Sequence, residues 1–319
     1  MEQRKKTWLE NQVQACELCP RKCRINRLQT RGFCGAPAGI VAARAALHAW
    51  EEPCISGIRG SGAIFFSGCT LRCRFCQNQR ISRDFFGMSL APETLADTIL
   101  RLQEQGAHNI NLVTATHFLP WILPALDTAR NQLRIPVVYN CGGYERAETV
   151  EMLRDDIDIW LPDLKYFDPA LSNHFSAASD YFEIASAAIR QMIRQTGALQ
   201  FHEEKEANGQ THLVLDRGVI VRHLVLPGHK EDSIQLLHWM ADSLPRGSFL
   251  ISLMSQYTPY ATDDDYPELN RRITSYEYQK VVDAALELGL NQGYMQKKSS
   301  AREEYTPSFH LEGLIRPDT

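Results

Sequence analysis

The sequence contains no apolar run near the roughly 20 residues of a membrane span, so no membrane association is expected. Its start, Met1-Glu2-Gln3-Arg4-Lys5-Lys6, lacks the apolar core of a signal peptide, and a cytoplasmic location follows as the expectation. No internal repeat or low-complexity tract appears. No basic stripe interleaved with aromatics appears either, which argues against nucleic acid as a partner. Cysteine is almost missing from the last three quarters of the chain: eight of nine precede residue 77, and only Cys141 follows. Core filler would not crowd in this way. In a reducing compartment the crowding points to metal ligation instead of disulfides.

What is present suits a buried core in one large domain with a small appendage, with 319 residues of which 44% are hydrophobic. The expected division is a cysteine-rich metal-binding segment at 1–61, a main domain at 62–300 and a polar, loosely ordered tail at 301–319. The net charge of −4 is unevenly spread. Residues 1–83 hold fourteen Lys and Arg against five Glu, a surplus of +9, which leaves −13 for the remainder. That basic surplus reads equally as a solvated surface or as a face for an acidic partner.

The stretch Ser67-Gly68-Cys69-Thr70-Leu71-Arg72-Cys73-Arg74-Phe75-Cys76-Gln77-Asn78 spaces three cysteines as C-x3-C-x2-C. Thiolates so spaced can converge on one soft metal centre from a single loop. Three are one short of closing a four-iron, four-sulfur (4Fe-4S) cluster, and an iron without a protein ligand can bind a small molecule. A zinc knuckle and unligated thiols are the competing readings. The run Gly62-Ala63-Ile64-Phe65-Phe66 leads in as a buried strand, so the loop hangs from its carboxyl end. Upstream, Cys16, Cys19, Cys23 and Cys34 form C-x2-C-x3-C-x10-C, a complete set of four ligands. Spacing leaves zinc, a second cluster and metal-free thiols all open. Cys54 reads as a buried small hydrophobe.

From residue 62 strands alternate with helices. Strands are expected at 62–66, 109–114, 136–140, 157–161, 218–226 and 248–254, and helices at 1–15, 92–102, 119–133, 145–154, 170–176, 180–196, 232–243 and 276–288. Residues 36–61 read as irregular, 84–91 as a connector and 198–217 as a surface excursion with a hairpin. Six strands with intervening helices predict an α/β fold with a parallel sheet, a partial (β/α)6 barrel resembling an open TIM barrel. Candidate site residues cluster where strands end: Thr116 and His117, Cys141, Asp163 and Lys165, Arg222, His223 and His229, and the run 255–260. Asp163 and Lys165 alternate about Leu164, so both can face one side. They could pair with a zwitterionic ligand or with each other. Of the three histidines, at least two are expected to be satisfied structural residues.

The C-x3-C-x2-C spacing, with Phe75 before its third cysteine, resembles the radical S-adenosylmethionine (SAM) enzymes. Adding Asp163-Leu164-Lys165 and Pro227-Gly228, residues 62–260 resemble the activating enzymes of glycyl radical enzymes, whose type member is pyruvate formate-lyase activating enzyme. The N-terminal cysteines together with Cys76-Gln77-Asn78 are similar to an uncharacterised branch of that group. The resemblance implies that Cys69, Cys73 and Cys76 ligate a 4Fe-4S cluster whose fourth iron binds SAM. It implies that Phe75, Thr116, Asp163, Lys165 and Arg222 contact SAM. It also implies a flavodoxin-like or ferredoxin-like electron donor and a protein substrate, a glycyl radical enzyme. Two departures stand out. The family's Gly-Gly-Glu-Pro segment is replaced by Thr114-Ala115-Thr116-His117, with Thr116 and backbone carbonyls in its place. The extra cysteines precede the radical motif instead of following it. A small-molecule substrate, or a non-catalytic iron–sulfur or zinc protein, are the alternative readings.

Overall fold

The computed structural model describes residues 1–206, 209–259, 263–296, 307 and 309–314. In chain order the elements are α1 (Gln3–Gln14), β1 (Ile40–His48), α2 (Pro53–Ser56), β2 (Ser61–Phe66), α3 (Gln79–Ser82), β3 (Met88–Leu90), α4 (Pro92–Glu104), β4 (Ile110–Val113), α5 (Leu119–Ala129), β5 (Val137–Cys141), α6 (Ala147–Met152), β6 (Ile159–Pro162), α7 (Pro169–Ser176), α8 (Tyr181–Thr196), β7 (Gln200–Lys205), β8 (Thr211–Leu224), α9 (Lys230–Ser243), β9 (Leu250–Met254), α10 (Ser275–Glu287) and β10 (Gly293–Met295). The strands form one sheet in the order β10-β9-β8-β6-β5-β4-β2-β1-β3, with β7 paired to β8 as a hairpin. Its centre, β2-β4-β5-β6-β8-β9, is parallel throughout and follows the chain, as the six apolar runs predict. The sheet ends at β3 and β10, so the barrel is open.

Three strands escape the sequence reading. β1 is rich in alanine, which carries little strand preference, yet it pairs antiparallel with the whole of β2. Residue 61, where the boundary is expected, is the first residue of β2, and β1 of the preceding segment is hydrogen-bonded to that strand. β3 adds to the outer edge of β1, and β10 extends the other edge beyond β9.

The tail also differs from expectation where it is described. Leu311 N–H donates to Ala43 O at 3.1 Å, and Ala45 N–H donates to Glu312 O at 2.9 Å. Phe309 is buried edge-on against Phe65, 5.5 Å between centroids. Gly313 has φ +71°, and a Cβ there would stand 1.8 Å from Ala45 O, so only glycine lets the strap lie this close. Residues 297–306, 308 and 315–319 lie outside the described residues.

Residues two apart on the barrel strands face the same side, so the interior is layered. The lower layer is apolar: Val138, Ile159, Ile220 and Leu250 cluster with Cys54 and Ile55 of α2, which plugs the barrel. Asn109 Nδ2 donates to Ile55 O at 2.7 Å and anchors that plug. One step up each strand stand Asn140, Arg222 and Ser252, and above Leu161 comes Asp163. The same period-two logic thus turns an oily floor into a polar chamber.

Candidate active site

β2 delivers the chain into the cysteine loop. Ser67 N–H donates to Val41 O at 2.9 Å and Gly68 N–H to Ile81 O at 2.8 Å. Gly68 has φ +87°, and a Cβ would meet both Cys34 O and the Phe85 ring at 2.7 Å. The loop presents Cys69, Cys73 and Cys76 to a cavity of about 240 Å³. Asn140, Asp163, Lys165, Arg222 and Glu51 line the same cavity.

Each sulfur accepts a hydrogen bond. Ser176 Oγ donates to Cys73 Sγ at 3.0 Å, Ser82 Oγ to Cys76 Sγ at 3.3 Å, and Leu71 N–H points to Cys69 Sγ at 3.4 Å. Burial pushes the Cys69 thiol up to about 12 and raises that of Cys76. Such thiols stay protonated on their own, and metal coordination would deprotonate them outright. Soft sulfur donors with satisfied lone pairs fit an iron–sulfur cluster. The three sulfurs do not crowd within 4.8 Å of one another, as ligands of a single ion would. Cys141 lines the cavity from β5, but its charged neighbours are Glu145, Asp163 and Arg222, not the three loop thiols.

The polar wall is a chain of charges. Arg222 Nε donates to Asp163 Oδ1 at 2.9 Å, and Lys165 Nζ donates to Asp163 Oδ2 at 2.5 Å. Arg222 also donates to Asn140 Oδ1 at 2.6 Å and reaches Glu51 Oε2 at 3.4 Å. Burial alone would raise the Asp163 pKa, but Arg222 and Lys165 hold it below the usual carboxylate range. Burial would lower Lys165, yet Asp163 holds it above the ordinary lysine value. Asp163 and Lys165 do share one side, and they pair with each other. Phe75 lines the cavity and packs edge-on against Tyr166, Phe175 and Tyr257, with centroids 5.7–6.2 Å apart.

Glu51 is the site residue that sequence reasoning missed. It precedes the plug helix α2 and rises into the chamber, where Asn111 Nδ2 donates to its carboxylate at 3.0 Å and Asn140 Nδ2 at 3.3 Å. Burial raises its pKa against the pull of Arg222. The only local signal is a carboxylate pair, Glu51-Glu52, ahead of a proline in an otherwise irregular segment.

Thr116 stands elsewhere. It is buried behind the wall, its hydroxyl donating to Glu145 Oε1 and accepting from Tyr139 O–H, both at 2.8 Å. Thr114, at φ +61°, lines the cavity in its stead. Burial lowers His117 and His223 to about 4, so both are neutral struts. His117 Nε2 bonds Ser67 O at 2.8 Å, and His223 spans Leu164 O and Ser233 Oγ. His229 pairs with Glu268 at 3.0 Å. Of the run 255–260, Tyr260 lies outside the described residues.

The basic N-terminal face is also smaller than expected. Arg27 is 2% exposed, and Arg21 is spent on the carbonyls of Thr70, Ser176 and Ala177. Lys22 and Arg24 remain exposed, and Arg24 pairs with Glu17 at 2.6 Å. Among the described residues no helix is long and apolar enough to cross a membrane.

A three-thiol loop at the mouth of an open parallel barrel defines a class. Residues 63–204 match the family model of the Radical SAM superfamily. An uncharacterized protein of Methanocaldococcus jannaschii is 28% identical over 292 residues, spanning 88% of this chain and 77% of that one. Among solved structures, a domain of pyruvate-formate lyase-activating enzyme from Bacteroides vulgatus aligns over 64% of this chain and 89% of its own, at 16% identity and TM-score 0.36. SuiB of Streptococcus suis, bound to precursor peptide SuiA, aligns over 72% of this chain and 47% of its own, at 13% identity and TM-score 0.46.

Proposed function

We propose that the chain is a radical SAM enzyme acting on a protein or peptide, in the manner of a glycyl radical enzyme activating enzyme. The carrying observation is the placement of Cys69, Cys73 and Cys76 around one cavity whose remaining wall is the Asp163–Lys165–Arg222 network. Cys69, Cys73 and Cys76 would hold a 4Fe-4S cluster, which when bound would supply one-electron reduction of SAM to methionine and a hydrogen-abstracting 5′-deoxyadenosyl radical. The protein's own part is binding and exclusion of water. Lys165 and Arg222 offer cationic donors to the SAM carboxylate. Asp163 offers acceptors to an ammonium or to ribose hydroxyls. Phe75 gives the adenine an apolar edge. Thr114 and its neighbouring carbonyls take the place of the missing Gly-Gly-Glu-Pro segment. Glu51 holds Asn140 and Arg222 in position from below.

Trp50, about half exposed, and Pro307 line the mouth and give an extended substrate segment an apolar lip. Cys16, Cys19, Cys23 and Cys34 form a second metal site. A flavodoxin-like or ferredoxin-like donor docks on the face around Lys22 and Arg24, and a reducing cytoplasm suits both thiol sets. The test is anaerobic reconstitution with iron and sulfide, followed by reduction with dithionite in the presence of SAM. Formation of 5′-deoxyadenosine by the wild type supports the reading, and a colourless zinc protein that leaves SAM intact refutes it. A radical doublet in the EPR spectrum of a co-incubated glycyl radical enzyme tests the substrate class.

A further inference from the structure

Arg27 is a buried cation with no buried anion to match it. Its guanidinium donates to His117 O at 2.9 Å and to Pro37 O at 3.0 Å, and lies 3.7 Å from Cys16 Sγ. Its Nε has no partner among the described residues, and no carboxylate there pairs with it. Taking such a charge out of water costs several kcal/mol unless negative charge comes with it. Besides these carbonyls, Arg27 faces the Trp121 ring at 5.3 Å and the cysteines. Cys16 touches it, and Cys34 lies close enough to feel its charge, as well as those of Cys16 and Cys23. Cys19 feels Cys34 and Cys16 in turn. Backbone N–H groups of Arg21 and Ala36 aim at the sulfurs of Cys19 and Cys34. Ligated thiolate would bring negative charge to the Sγ atom that Arg27 touches.

Spacing then separates the metals. A tetrahedral zinc with bonds of about 2.3 Å holds its sulfurs about 3.8 Å apart. No three of these four sulfurs lie within 4.8 Å of one another. Among the described residues the group that does reach single-ion spacing is His174, Asp263 and Asp265, where Arg74 already pairs with Asp263. Neither the four upstream sulfurs nor those of Cys69, Cys73 and Cys76 supply three ligands at single-ion spacing. In a cuboidal cluster each thiolate takes a different iron, so the ligands stand farther apart than on one ion.

We infer that Cys16, Cys19, Cys23 and Cys34 hold a second iron–sulfur cluster of the four-iron class, with Arg27 as its buried counter-ion and hydrogen-bond donor. This rests on, and sharpens, the second metal site of the proposed function. The ligand set is closed, so this cluster has no open iron for SAM and exchanges single electrons only, from a flavodoxin- or ferredoxin-class reductant. It also sits against the radical loop. Arg21 Nε donates to Thr70 O at 3.0 Å, Arg72 reaches Phe33 O at 3.4 Å, and the Cys34 carbonyl packs on Gly68.

The test uses the full chain with Cys69, Cys73 and Cys76 all changed to Ala, reconstituted anaerobically with iron, sulfide and zinc together. The expected result is about four iron and four sulfide per chain, with a cluster EPR signal on dithionite reduction. One zinc per chain, or no metal in a folded protein, overturns the inference. Adding Arg27→Gln should keep the iron and lower the reduction potential, because a nearby positive charge favours the added electron. Arg27→Lys should restore most of the shift. An unchanged potential in a loaded Arg27→Gln protein removes Arg27 from the role. Should Arg27→Gln fail to fold, Arg27→Lys in the same background still decides the question by its own smaller shift. SAM cleavage by the wild type is scored separately, so an intact second cluster beside a chain inactive toward SAM refutes the proposed function and leaves this inference standing.

Discussion

The two cysteine sets touch each other, yet their surroundings are opposite. Cys69, Cys73 and Cys76 face a cavity of about 240 Å³ whose far wall pairs carboxylates with cations. Cys16, Cys19, Cys23 and Cys34 face packed backbone, the buried Arg27 guanidinium beside Cys16 and the buried Glu145 carboxyl near Cys19. Charge near the open set is balanced within the protein, with Asp163 between Lys165 and Arg222. Near the upstream set, Arg27 has no carboxylate partner among the described residues. An open coordination site needs a solvated, self-neutral chamber that a charged ligand can enter and leave. A closed one needs only a counter-ion and a tight wrap.

The largest test of that contrast is Cys73→Ala against Cys19→Ala. The first should remove 5′-deoxyadenosine formation altogether. The second should leave dithionite-driven SAM cleavage measurable, and equal loss in both would erase the distinction. Next comes Asp163→Ala, which strands Lys165 and leaves Arg222 only Glu51 at 3.4 Å as an anionic partner, and should cost about 3–5 kcal/mol in denaturant unfolding. A loss under about 1 kcal/mol would mean that the chamber is not self-neutral. Arg21→Ala cuts the bonds that clasp the two loops together, at Thr70, Ser176 and Ala177. About 2 kcal/mol should be lost, read as a lower melting temperature of the metal-loaded protein.

Glu145→Gln is the mildest at low pH, under about 1 kcal/mol at pH 6. Burial raises the Glu145 carboxyl from 4.5 to about 8, so the folded state keeps a proton that the unfolded state loses above 4.5. Stability is therefore full below that value. It falls as pH rises toward 8, by up to about 1.4 kcal/mol per pH unit. The glutamine variant should flatten that decline, and a wild type whose stability is level from pH 5 to 8 would contradict it.

Much of this architecture could be read from local pattern. The apolar runs at 62–66, 109–114, 136–140, 157–161, 218–226 and 248–254 are long, β-branched or aromatic, and bounded by helix starts, and each became a parallel strand. The cysteine loop was legible because its spacing is local. What escaped depends on contacts far apart in sequence. β1 is a strand because β2 lies beside it, not because alanine prefers one. Glu51 enters the chamber because α2 plugs the barrel, and nothing in residues 49–57 announces that destination. Thr116 was placed in the cavity by motif position, but the backbone turns at Thr114 and sends it behind the wall. Arg27 looked like one more surface charge in a basic stretch.

The strap formed by 309–314 has a consequence for biosynthesis. It hydrogen-bonds to Ala43 and Ala45, and Pro307 just before it lines the cavity, some 230 residues downstream of Cys76. A nascent chain emerging from the ribosome would expose its thiol loop long before that lip arrives. Final shaping of the chamber thus waits on the latest-made part of the polypeptide described here. Tags or truncations placed in that stretch would act on the mouth of the cavity.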